Sequence, residues 1–110
     1  MADTYKVLFQ GQLGTGAAGT IYTPGVGKMG IIKNMMIKNV GANTETVTFF
    51  LNGTSTAAQF GENLILSPTG SDGSSAEWDG TLALANGDIL RANSTDATAV
   101  TLLVTGDEIS

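Results

Sequence analysis

Apolar and polar residues alternate with a period of two in several stretches of this chain. "YKVLFQ" (5–10) sets Tyr5, Val7 and Phe9 on one side and Lys6, Leu8 and Gln10 on the other. "ETVTFFLNG" (45–53) sets Val47, Phe49 and Leu51 opposite Thr46, Thr48, Phe50 and Asn52, and "TAVTLLVTG" (98–106) repeats the pattern with Val100, Leu102 and Val104. Alternation of this kind describes strands with one buried face. Helical periodicity is not sustained anywhere. Its nearest approach is "STAAQFGENLIL" (55–66), where Ala57, Phe60 and Leu64 share a helical face but Gly61 interrupts it, leaving room for one short turn. Between the alternating runs lie "GTGAAGT" (14–20), "PGVG" (24–27), "NVGAN" (39–43) and "SPTGSDGSS" (67–75), each read as a connection within one domain. About eight short strands fit the length, at the turn spacing of a sandwich or barrel. The expectation is an all-β chain: a single antiparallel β-sandwich or jelly roll over residues 1–110, with residues 1–4 as an N-terminal arm.

"KMGIIKNMMIKNV" (28–40) departs from the rule. Its odd positions hold Ile31, Lys33, Met35 and Ile37, and its even positions Ile32, Asn34, Met36 and Lys38, so a regular strand would be apolar on both faces. Phe50 raises the same question, because it falls opposite Val47, Phe49 and Leu51. Such a strand sits centrally, or has its second face covered by another subunit. Phe50, Met35, Met36 and the lone Trp78 are therefore the candidate interface residues, and a homo-oligomer is expected. The alternative is that loops 53–63 and 67–79 fold over these faces within one chain.

Composition narrows the chemistry. The 110 residues include 15 Gly, no Cys and no His. Disulfides, thiolate metal sites, a serine–histidine triad and the commonest general base are thereby excluded. The start "MADTYKVLFQ" lacks the apolar core of a secretory signal, and no apolar run approaches the roughly 18 residues of a membrane helix. The net charge of −5 is uneven. Lys6, Lys28, Lys33 and Lys38 outweigh Asp3 and Glu45 in the first 50 residues, while Arg91 alone faces eight carboxylates in the remainder. An acidic total argues against a nucleic-acid partner. The bland reading is a solvated acidic surface, and the sharper one is complementary faces on neighbouring subunits.

Few groupings suggest a reaction. Asp72, Glu77 and Asp79 in "SDGSSAEWDG" (71–80) could hold calcium on a loop, but their spacing is not that of an EF-hand. The glycines of "GTGAAGT" lack the lysine and following helix of a phosphate loop. Trp78 offers a single stacking platform for a sugar, where a lectin-like site usually has more aromatics. The expectation is a protein that is not an enzyme and carries no cofactor and no metal.

"LALANGDILRA" (82–92) places Asn86-Gly87-Asp88 between apolar runs, a strong hairpin signal. A three-residue loop with Gly87 left-handed would put Leu82, Leu84, Leu90 and Ala92 on one side and Arg91 outward, whereas a two-residue loop would put Ile89 with the leucines. The first is preferred, and it makes Asp88 the corner of a turn, accepting amide hydrogen bonds, and not a catalyst. With "AVTLLVTGDEI" (99–109) the stretch resembles the Gly-Asp turn and closing strand of tumour-necrosis-factor-like jelly rolls, which form trimers. "GTIYT", "GKMGIIKNMMIKN", "TVTFFLNG" and "LANGDILRA", taken in order, resemble a group of small virion structural proteins of tailed bacteriophages. That resemblance implies a virion structural protein of the capsid decoration (cement), head-fibre or tail type, not an enzyme, with a capsid decoration protein on the head surface preferred. It also implies assembly in the host cytoplasm and the major capsid protein or other virion proteins as partners, while the jelly-roll resemblance favours a trimer as the homo-oligomer. A tail or baseplate component with a receptor or sugar contact is the alternative, and a sugar- or calcium-binding module on an unrelated sandwich is a third reading.

Overall fold

The computed structural model describes residues 3–15, 18–53, 58–59, 64–96 and 99–110. Eight strands follow one another: β1 (Asp3–Gln12), β2 (Gly19–Tyr22), β3 (Met29–Asn39), β4 (Glu45–Leu51), β5 (Leu64–Leu66), β6 (Ser75–Leu84), β7 (Leu90–Ser94) and β8 (Val100–Ile109). They form two four-stranded antiparallel sheets, ordered β1-β8-β3-β6 and β2-β7-β4-β5. First pairs with last, second with seventh, third with sixth and fourth with fifth, which is the pairing of a jelly roll. Among the described residues there is no α-helix. Most of 55–63, including the helical pattern of Ala57 and Phe60, lies outside them. Thr4 already pairs with Glu108 within β1, so the ordered strand begins inside the expected N-terminal arm.

The inner faces of the two sheets make one core. Ile32, Val47, Leu84, Leu90, Val100 and Val104 are fully buried there, with Leu102, Ile37 and Leu66 nearly so. In β4 and β8 the alternation read from sequence is the alternation observed: Val47 and Phe49, then Val100, Leu102 and Val104, face inward.

β1 and β3 depart from it, each at a bulge. The register between β3 and β8 shifts between Ile32 and Asn34, leaving Lys33 as an extra residue. Because side chains alternate strictly, one extra residue exchanges the two faces. Gly30 and Ile32 therefore point inward before the bulge, and Met35, Ile37 and Asn39 after it. The apolar residues of "GIIKNMMIKN" that seemed to need covering on both sides mostly reach a single core. In β1 the register shifts between Val7 and Phe9, at Leu8. Phe9 and Leu8 pack against the core, whereas Tyr5 and Val7, expected beside Phe9, are 65% and 53% exposed.

The Gly87-Asp88 turn also differs from the expected hairpin. β6 belongs to one sheet and β7 to the other, so the turn carries the chain across the sandwich. Leu82, Leu84, Leu90 and Ala92 do face one core, but from opposite walls of it. Alternation cannot distinguish these cases, since both put the same residues inside.

Candidate functional site

Three of the places that hold polar groups in defined geometry bear on function. The first is the Gly87-Asp88 turn. The Asp88 amide donates to the Ala85 carbonyl at 3.0 Å, and Gly87, at φ +97°, takes the left-handed position that suits glycine. The Asp88 carboxylate accepts from the Ala85 amide at 2.9 Å and from Asn52 Nδ2 at 3.0 Å. Asn52, itself at φ 59°, accepts the Ile89 amide on its Oδ1 at 2.7 Å. The end of β4 and the start of β7 are thus pinned by side chains. The Ala85 amide, then the Asn52 amide group, holds the Asp88 carboxyl below its ordinary range. Asp88 is a structural corner.

The second place is one end of the sandwich. Gly30 on β3 leaves a flat seat for the Tyr22 ring, where a β-carbon would lie only 2.4 Å from it. The Tyr22 hydroxyl donates to Glu108 Oε2 at 2.9 Å. Glu108 Oε1 accepts from Lys6 Nζ at 2.7 Å and lies 3.5 Å from Lys28 Nζ. The knot joins β2 of one sheet to β1 and β8 of the other. Lys6, then the Tyr22 hydroxyl and Lys28, depress the Glu108 carboxyl from 4.5 to about 2. Burial, reinforced by Glu108, raises the Tyr22 phenol from 10.0 to about 12. No sequence pattern announced this cluster, because 86 residues separate Tyr22 from Glu108.

A pH dependence follows. Glu108 and Asp88 have lowered carboxyl pKa values, so their stabilisation is complete above the unfolded carboxylate range and fades on acidification. For Glu108 that window runs from 4.5 down to about 2. Tyr22 is raised, so its contribution is complete below 10.0 and fades as pH climbs towards about 12. Thermal unfolding midpoints should form a plateau between these limits. Glu108→Gln should flatten part of both limbs, and unchanged limbs would show that the knot does not contribute.

The third place is the outer face of the β1-β8-β3-β6 sheet. A groove of about 840 Å³ crosses all four strands near the ends Gln12, Lys38, Ser75 and Thr101. Its floor is Leu103 and Met36, neighbours in register, with Met36 50% exposed. Glu77 stands beside Met36 on β6, and Lys38 lies two residues along β3.

The four interface candidates separate on this frame. Met36 lies on the open outer face, whereas Met35 is 3% exposed and belongs to the core. Phe50 is 5% exposed, its backbone lying between Arg91 of β7 and a bridge to Gln59. It is buried within the chain and does not present a surface to a neighbour. Trp78 is half-buried against the core, its ring lying over Gly80. Of the acidic trio, Asp72 is in the loop, while Glu77 and Asp79 are on the outer face of β6. Asn34 Nδ2 donates to both, at 2.9 and 2.6 Å. Neither family models nor curated proteins gave a match to this chain.

Proposed function

We propose that the protein is a non-enzymatic structural component of a tailed-bacteriophage particle, working as a decoration protein that binds the head shell. The strand order carries the reading. The Gly-Asp turn and closing strand that resemble tumour-necrosis-factor-like proteins imply a jelly roll, the four motifs in order resemble phage virion proteins, and the eight strands pair as a jelly roll. Jelly rolls serve many functions, so it is the coincidence of motif order with topology that supports this one. The mechanism is avidity, in which many weak contacts across adjoining shell subunits oppose rupture of the particle. In this reading the major capsid protein is the partner.

Gold-labelled antibody against the chain, imaged by negative stain on particles of the phage that encodes it, tests the proposal. Label distributed over the head is the expected result. Label at the tail or baseplate would favour the tail-component alternative, and unlabelled particles would overturn the virion reading.

A further inference from the structure

We infer that the outer face of the β1-β8-β3-β6 sheet binds a second copy of this chain in a two-fold pair, with Lys38 of each copy set against Glu77 of the other. The inference stands apart from the virion reading, since it concerns only how this chain meets itself.

The surface has an apolar centre and unmatched charges. Met36 and Leu103 lie side by side at the groove floor. Tyr5 and Val7 are exposed on the same face. Lys6, Lys28 and Lys33 each lie within salt-bridge distance of Glu108 or Asp107. Lys38 has no such partner among the described residues. Glu77 takes a hydrogen bond from the neutral Asn34 amide and, among the described residues, has no cation within salt-bridge distance. A cation and an anion, neither in a salt bridge among the described residues, therefore flank an exposed methionine.

Their spacing makes the arrangement self-complementary. From Met36, Glu77 lies one strand away, about 4.8 Å, and Lys38 two residues along the strand, about 6.8 Å. A two-fold axis in the plane of contact, bisecting these directions, exchanges them. It brings the two sheets face to face with strands crossing near 90°, one of the two common ways sheets pack. Met36 then meets Met36, and each Lys38 comes to within about 2 Å of lying over the partner copy's Glu77, well within side-chain reach. The same operation sets Thr101 near Asp79 and superposes no like charges. Such a contact is isologous and closes at two copies. It therefore replaces the three-fold expectation with a dimer.

The test is sedimentation velocity of the full chain over a concentration series. The wild type should move from 11.3 kDa towards twice that mass. Lys38→Glu and Glu77→Lys each turn two attractive contacts into two repulsive ones, and each should weaken association roughly tenfold or more. An equimolar mixture of the two variants should pair again, because in the mixed dimer both contacts join opposite charges. That rescue in trans requires a contact between positions 38 and 77 of different copies and cannot come from pairing within one chain, and closure at the dimer mass makes the contact two-fold. Both positions are on the outer face, and circular dichroism of each variant checks that it is folded. A wild type that remains monomeric, a trimeric mass, variants that associate like the wild type, or a mixture that stays monomeric would each overturn the inference.

Discussion

Asn39→Asp is expected to destabilise the protein by about 3–5 kcal/mol at neutral pH, the range for an uncompensated buried charge. Asn39 is fully buried at the end of β3. Its Nδ2 donates to the carbonyls of Asn43, Ser67 and Leu66 at 2.7, 3.1 and 3.3 Å, and its Oδ1 accepts the Gly41 amide at 2.9 Å. One side chain thus ties the β3–β4 turn to the end of β5. Aspartate keeps the shape and the acceptor but turns an oxygen towards three carbonyls. Acidification should relieve part of the loss, since protonation restores one donor. Asn39→Ala removes all these bonds without adding charge and should show no such relief. Urea unfolding of both variants at neutral and acidic pH makes the comparison. Equal losses at both pH values would mean that the amide is not the element that matters. Because small domains are stable by only about 5–15 kcal/mol, the predicted loss is a large share of the total.

Gly106→Ala is expected to cost about 3 kcal/mol, the upper end of ordinary overpacking. A β-carbon at Gly106 would lie 2.0 Å from the Ile31 carbonyl oxygen and 3.0 Å from Ile32 Cα. These are backbone atoms, so no change of rotamer can relieve the contact. Gly106 pairs with Ile32 immediately before the Lys33 bulge, and the absence of a side chain on β8 lets the bulged strand approach. Alanine should therefore push β3 away from β8. Thermal unfolding measures the loss, and amide exchange should place it on β3 residues 30–34. A variant as stable as the wild type would show that the bulge tolerates a side chain opposite it.

The bulges in β1 and β3 also mark where the sequence stops being legible. β4 and β8 could be assigned face by face because Val47 and Phe49, or Val100, Leu102 and Val104, keep one phase throughout. β3 could not, because an extra residue leaves no mark in composition: Lys33 is as reasonable on an exposed regular strand as at a bulge. The misread phase made an ordinary core strand look two-faced and assigned Met35 to a surface. Phe50 was misplaced for a related reason, since alternation says nothing of a bridge such as Phe50 to Gln59. Gly87-Asp88 was recognisable as a turn from local chemistry, but which sheet the next strand joins depends on pairings far along the chain. Asn39 and the Tyr22–Glu108 knot depend on contacts with distant residues. Lys38 and Glu77, neither in a salt bridge among the described residues, became meaningful only once register set them around Met36.

The pairing of β1 with β8 has a consequence for synthesis. Asp3 meets Ile109, so β1, the first made of these eight strands, has no sheet partner until the chain has been translated through that residue and has emerged from the ribosome. At roughly 5–20 residues per second this wait lasts on the order of ten seconds. Only the inner pairs, beginning with β4 and β5, can form earlier, and the order of closure runs from the middle of the chain outwards. Tyr5 and Val7 spend that interval on an unpaired segment, where a chaperone or a neighbouring nascent chain can reach them.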